Sequence, residues 1–304
     1  MQRDYLSINN VPTRILTWGK TLLDDFDETD ELIVVISGNP GITEFYIEFL
    51  DQLHAKTNAS IWILSHAGHE IVDKNNVPSR QGNKKVYDLE GQIKHKRIFI
   101  EKYVLPKGIK FNLIGHSIGA YIILELLKNE TINSKVHHNY LLFPTIEYMA
   151  ETPNGVFIMS ILRPLKFLLL PLIYFIYILP MFIKIFLISL YIKFADIPKR
   201  FINIVLEFVH PYTFQNFCDM GMDEMYTVRA RNDDIIKANL EKITLYYGKS
   251  DCWVPISYYD KIKKEIYGIN AQLCDKNYKH AFVLHDSIEM GDLVGEWIQK
   301  NKTN

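Results

Sequence analysis

The 304-residue chain predicts an α/β fold, a mostly parallel central sheet with helices on both faces. Three observations carry that prediction. The run "LIVVIS" from Leu32 to Ser37 is apolar without interruption, the pattern of a strand buried on both faces of a parallel sheet. Strand-like and helix-like segments alternate along the chain, with no repeat of fixed period and no low-complexity linker. Third, "NLIGHSIGAYIILELL" (Asn112 to Leu127) sets a serine between two glycines where an apolar strand pattern gives way to an apolar helix pattern.

The elements follow in order. Pro12 to Trp18 and Leu32 to Ser37 read as strands, Ile47 to Leu53 as a helix, and Ser60 to Leu64 ("SIWIL") as a third strand. Leu89 to Tyr103 reads as a helix leading to the strand that holds Phe111, Leu113 and Ile114. After the serine, Tyr121, Ile122, Leu124 and Leu127 recur near helical spacing. Tyr140 to Phe143 and Lys242 to Tyr247 continue the strands, "AQLCD" adds another, and Ile288, Leu293, Val294, Trp297 and Ile298 mark a terminal helix. The predicted organisation is one core in two parts, 1–150 and 236–304, with an insertion at 151–235 between the sixth strand and the next.

Composition narrows the function classes. A formal charge of -1 gives no basic field for nucleic acid. Cys218, Cys252 and Cys274 are odd in number, widely spaced and without a CxxC pair, which points to a reducing, cytosol-facing location and to no zinc site. The start "MQRDYLSINN" lacks the apolar core of a signal peptide, so entry into the secretory lumen is not expected.

Gly115-His116-Ser117-Ile118-Gly119 fits the sharp strand-to-helix turn that exposes a nucleophilic serine, because glycines let the two backbones approach closely. Such a serine needs a base, and the base an orienting acid, each at the end of a later strand. Asp251 follows the strand-like "ITLYY" and the turn Gly248-Lys249-Ser250, and is the expected acid; Glu147 is the competing carboxylate. His280 follows "AQLCD" and a polar turn and is the expected base, with His285 at the start of the terminal helix as its competitor. The pairs His137-His138 and His66 with His69 are expected at loops or surfaces, since no carboxylate stands near either in a metal-ligand spacing. For a developing oxyanion, one donor is the backbone N–H of Ile118. The other is that of Asn39 in Gly38-Asn39-Pro40-Gly41, because Pro40 has none to give. No metal or organic cofactor is expected.

The chain resembles the lipid droplet-associated hydrolases, a branch of the α/β-hydrolase superfamily. The resemblance rests on "SGNPGITEFY" (Ser37 to Tyr46), "LEGQIKHK" (Leu89 to Lys96), "GHSIGAY" (Gly115 to Tyr121), "FPTIEYMAETPNG" (Phe143 to Gly155), "YGKSDCWVP" (Tyr247 to Pro255) and "KHAFVL" (Lys279 to Leu284). It implies an α/β-hydrolase fold and a triad of Ser117, Asp251 and His280. It further implies hydrolysis of a lipid ester, such as a sterol ester or acylglycerol, at lipid droplets and the cytosolic face of the endoplasmic reticulum. The competing class is a droplet-surface protein that keeps the fold for lipid storage or droplet organisation with little catalysis.

The segment from Val156 to Ile192 stands apart. Phe167 to Ile183 holds 17 residues without a charge, about 26 Å if helical at ~1.5 Å per residue and just short of the ~20 residues of a bilayer span. Pro171 and Pro180 are expected to kink or break it. Arg163, Lys166, Lys184 and Lys193 punctuate the region, and no acidic residue occurs between Glu151 and Asp196. Such a segment suits a hairpin or kinked helix embedded in one leaflet or in a droplet's phospholipid monolayer, with cations reaching anionic headgroups. A buried cap or lid over the site is the other reading, and a lid lying in lipid combines the two.

Overall fold

In the computed structural model, which describes residues 1–72, 77 and 84–303, eight strands form one sheet. They are β1 (Gln2–Ile8), β2 (Val11–Trp18), β3 (Leu32–Ile36), β4 (Ser60–Leu64), β5 (Phe111–His116), β6 (Val136–Leu142), β7 (Ile243–Tyr247) and β8 (Asn270–Leu273). Their spatial order is β1-β2-β4-β3-β5-β6-β7-β8. The first two pairings are antiparallel and every later one is parallel. The order of progression reverses at β3, whose neighbours β4 and β5 lie on opposite sides, and such a switch point opens a crevice at the carboxyl ends of the strands. Ile36 pairs with Gly115, so the chain leaves β3 and β5 side by side.

Side chains alternate across the parallel strands, and both sets are buried. Val34, Ile36 and Leu113 face the helices Leu89–Phe99 and Ile118–Leu126, together with Leu89, Phe99, Ile118 and Ile122. Ile33, Val35 and Ile114 face the other way, onto Phe49, Leu50 and Leu53 of Ile47–Thr57 and Val294 and Ile298 of Ser287–Thr303. Truncating any of these to alanine costs about 2–5 kcal/mol.

Three local expectations are corrected. β1 precedes the first predicted strand; five of its seven residues are exposed and polar or tyrosine, so it shows no apolar alternation and is held by its pairing with β2 at the sheet edge. The predicted Leu89 to Tyr103 helix is α-helical only to Phe99 and continues as a π turn over Ile100–Val104. β6 begins at Val136 and therefore takes in both His137 and His138. His137 is exposed, but His138 is buried, with Nε2 2.9 Å from Thr244 Oγ1 on β7.

The insertion between β6 and β7 is helical throughout its apolar part. One continuous helix runs from Pro153 to Ile178, 26 residues with a mean hydropathy of 2.0 and none of its apolar window buried. Pro171 sits inside Arg163–Ile178 without ending it, whereas Leu179 and Pro180 separate it from Met181–Phe194. The two apolar helices do not form a hairpin packed on itself. Arg163–Ile178 packs on Pro211–Thr227 and Met181–Phe194 on Ile202–Phe208, leaving Phe167, Phe175, Ile178, Phe182, Phe186 and Phe194 open to solvent. Pro211–Thr227 is the part docked on the core: Asn216 Nδ2 donates to Gly68 O at 3.0 Å, and Asp223 accepts from Leu89 N at 2.9 Å.

Candidate active site

Ser117 stands between the end of β5 and the helix Ile118–Leu126 with φ +55° and ψ −122°, a left-handed conformation unfavourable for a side chain with Cβ. The neighbouring glycines make the turn possible. A Cβ on Gly119 would lie 2.2 Å from Ile36 O, and one on Gly115 2.7 Å from Ile123 Cδ1. The turn is fixed by Ser117 N donating to Leu142 O at 2.9 Å and Ala120 N to Ser117 O at 3.0 Å.

His280 and Asp251 arrive from the loops after β8 and β7. His280 Nε2 is 2.9 Å from Ser117 Oγ, and its Nδ1 is 2.7 Å from Asp251 Oδ2. In the neutral ring, Nδ1–H donates to the carboxylate and Nε2 is left to accept the serine hydroxyl. Asp251 is buried. Its other oxygen accepts from the N–H groups of Trp253 at 2.7 Å and Val254 at 3.1 Å, which pins the carboxylate toward the imidazole. Trp253 and Phe143 lie beside the His280 ring, with centroids at 6.3 and 5.8 Å.

The competing residues lie elsewhere. Glu147 is buried in an ion-pair network, with Arg231 Nη1 at 2.8 Å and Lys261 Nζ at 3.1 Å. His285 turns away from Ser117 and bonds Asp196 O at 2.7 Å. His66 and His69 follow β4 in a loop, as expected, but both are buried against the Gly38-Asn39-Pro40-Gly41 loop, which corrects the surface assignment. A Cβ on Gly41 would strike the His66 ring at 2.3 Å, and His69 Nδ1 accepts from Gly41 N at 3.0 Å. Burial pushes the His69 imidazole down to about 3, which keeps it neutral. Among the described residues, no group of His, Cys, Asp and Glu has the arrangement of a metal site.

Neither the Asn39 N–H nor the Ile118 N–H has an acceptor among the described residues; Ile118 follows Ser117 directly, and a Cβ on Gly38, the residue before Asn39, would lie 3.1 Å from Ser117 Cβ. Asn39 also reaches into the insertion, with Nδ2 donating to Glu224 Oε1 at 2.9 Å. Glu224 is almost fully buried, and burial pushes its carboxyl up to about 8. Sequence reading gave no reason to single out Glu224; it lies on a helix of the insertion, 185 residues from its partner.

The sequence profile of the family described as "Lipid-droplet associated hydrolase" matches residues 29–283. A curated Drosophila melanogaster relative named lipid droplet-associated hydrolase is 40% identical over 308 residues, with 99% of each chain covered. The chain belongs to the lipid droplet-associated hydrolase family. A Mus musculus lipid droplet-associated hydrolase is 36% identical, covering 98% of this chain and 95% of its own. Among solved structures, an esterase from Exiguobacterium antarcticum matches with a TM-score of 0.65 at 12% identity, covering 97% of this chain and 98% of that one. A meta-cleavage product hydrolase from Pseudomonas fluorescens matches with a TM-score of 0.64 at 14% identity, covering 98% of this chain and 97% of that one. At those identities the likeness shows the fold alone, and that fold is the α/β-hydrolase fold, as the sequence predicts. The lipid droplet-associated hydrolase family thus coincides with the one that the sequence motifs resemble.

Proposed function

We propose that the protein is a serine hydrolase that cleaves a lipid ester, with Ser117 as nucleophile, His280 as base and Asp251 orienting the imidazole. The observation that carries this reading is the hydrogen-bonded line from Asp251 through His280 to Ser117, at 2.7 and 2.9 Å, ending on a serine held at positive φ. Ser117 Oγ attacks the ester carbonyl as its proton passes to His280 Nε2. The tetrahedral oxyanion is held by the N–H groups of Ile118 and Asn39. Collapse expels the alcohol, which takes the proton from His280 Nε2. A water then repeats the sequence on the acyl-serine and releases the carboxylic acid.

The insertion, 151–235, acts as the lipid-facing unit between the core parts 1–150 and 236–304, in a phospholipid monolayer or the cytosolic leaflet of the endoplasmic reticulum. What supports a monolayer over a bilayer span is how the long helix is anchored. Lys166 pairs with Asp219, and Arg163 lies over the Tyr226 ring at 5.6 Å, so its middle is tied to the docked helix Pro211–Thr227. Beyond Lys166 the helix runs only from Phe167 to Ile178, about 18 Å against a hydrocarbon core ~30 Å thick, and Tyr177 near its end packs on His210 at 4.6 Å.

A fluorophosphonate probe tests the reading, since an activated serine reacts quickly with it. Labelling of the wild-type chain and its loss in Ser117→Ala are expected, with Tm nearly unchanged. Equal labelling of Ser117→Ala overturns the assignment. A chain that coats droplets yet leaves Ser117 unlabelled is instead a droplet-surface protein that retains the hydrolase fold.

A further inference from the structure

A second chain of hydrogen bonds, buried at Tyr46 and His116, runs behind the reacting residues. Gly38 N is 2.8 Å from Tyr46 Oη, Tyr46 Oη is 2.7 Å from His116 Nδ1, and His116 Nε2 is 2.8 Å from the main-chain carbonyl of His280. Its directions follow from the ends inward. A carbonyl only accepts, so His116 Nε2 carries the proton and donates it. In a neutral ring Nδ1 is then an acceptor, so the Tyr46 hydroxyl donates to it, and the hydroxyl oxygen accepts from Gly38 N–H. The ring is neutral because burial, with His280 adding to it, drives the His116 imidazole down to about 3.

We infer that Tyr46 and His116 are positioning residues for the base: they tie the main chain of His280 to the end of β5 and to the loop after β3. Residues Asp275 to Ala281 include neither helix nor strand. Among the described residues, no backbone N–H donates to the His280 carbonyl, so the His116 bond is its tether. The opposite end of the chain occupies Gly38 N–H, which is thereby withheld from an oxyanion and leaves Asn39 N–H as the donor on that side. A Cβ on Gly38 would lie 3.1 Å from Ser117 Cβ and 3.2 Å from His116 Nδ1, which shows how closely the loop, the nucleophile and the tether are stacked. His116 is packed edge-on against Phe282 at 4.9 Å, so its ring is held by contacts from the segment it restrains. The two motifs nearest the reaction, "SGNPGITEFY" and "GHSIGAY", meet through the hydroxyl of Tyr46 and the ring of His116.

This inference rests on the reading of Ser117, His280 and Asp251 as the reacting residues, and the test separates the two. The variants are Tyr46→Phe, which removes one oxygen, His116→Leu, which removes both ring hydrogen bonds, and His116→Gln, whose amide reaches the His280 carbonyl. Each is assayed in the full chain with a soluble short-chain nitrophenyl ester and by the rate of fluorophosphonate labelling. Because sub-ångström misplacement of a base is costly, Tyr46→Phe and His116→Leu should lower kcat and labelling rate about 10- to 100-fold with KM changed less than about twofold, and His116→Gln should recover most of the loss. A Tyr46→Phe protein with wild-type kcat and labelling rate, or a His116→Gln protein no better than His116→Leu, overturns the inference. Where His116→Leu does not fold, Tyr46→Phe decides. Unchanged labelling in Ser117→Ala overturns the reading beneath it, and the tether with it.

Discussion

Asn39 and Glu224 join the loop beside the nucleophile to the insertion through a hydrogen bond of 2.9 Å, in which the buried carboxyl is the acceptor. Burial raises that carboxyl from an ordinary 4.5 to about 8, so in the folded protein it is protonated at neutral pH.

The first prediction is a loss of stability as pH rises from mildly acidic to mildly alkaline values. Below 4.5 both folded and unfolded chains hold the proton; between 4.5 and about 8 the unfolded chain releases it and the folded chain does not. Stability from this group therefore falls as pH rises through that window. Glu224→Gln keeps an acceptor for Asn39 and has no proton to lose. Its Tm relative to wild type should rise from pH 5 to about pH 8 and level off above that, and a constant difference would show that Glu224 is not a buried neutral acid.

The second prediction concerns acid. Burial holds His66 and His95 well below the ordinary 6.5 and brings His69 and His116 down to about 3. Below pH 6.5 the unfolded chain takes up protons that the folded rings refuse, so each histidine costs up to about 1.4 kcal/mol per pH unit. Glu70 and Glu224 act in the opposite sense but are fewer. Denaturant midpoints should drop between pH 6.5 and pH 4, and His69→Gln should flatten that drop. A midpoint independent of pH over that range would contradict the burial of neutral imidazoles.

The third prediction ranks the candidate bases and acids. His280→Ala should match Ser117→Ala in lost activity, while His285→Ala should retain most of it, because His285 faces Asp196. Asp251→Asn should lower kcat about 10³- to 10⁴-fold through loss of tautomer control. Glu147→Gln should instead lower stability, by about 1–3 kcal/mol, since it removes one buried charged partner of Arg231 while Asp233 and Glu265 remain. Activity assays beside thermal melts distinguish these outcomes, and the reverse ranking of the two histidines would sink the assignment.

The fourth prediction separates targeting from catalysis. Aspartate at Phe175, Phe182 and Phe186, all exposed on the apolar helices, should release the chain from droplets and membranes while leaving fluorophosphonate labelling of Ser117 intact. Ser117→Ala should leave targeting unchanged. Tags at Asn133 and Lys237 should both read out on the cytosolic side. A luminal tag would mean that the insertion crosses the bilayer.

Much of this architecture is legible in the sequence, for reasons that differ by element. β3 and β5 are readable because strands buried on both faces must be apolar, and the turn at Ser117 because only glycine tolerates its crowding by Ile36 and Ile123. The order serine, acid, histidine at successive strand ends then brings Asp251 and His280 into view. β1 is not readable, since an edge strand is held by main-chain bonds that leave no mark on its side chains. Glu224 and Tyr46 are equally silent: Glu224 matters through a hydrogen bond to Asn39 and Tyr46 through its bonds to Gly38 and His116, and a lone polar residue on a helix carries no periodic signal. Pro171 shows the limit of a strong local rule, for it lies within a helix that continues to Ile178.

If the two apolar helices enter lipid as proposed, the large side chains that they hold outside the protein's own core give an affinity for any oily surface that needs no docking partner. The amount of protein held in place then scales with the area on offer. When stored lipid is consumed and its droplets shrink, surplus copies are crowded off and must shelter their aromatic rings in another membrane or against one another. Occupancy of this kind would make the quantity of enzyme on the substrate a readout of how much substrate surface remains.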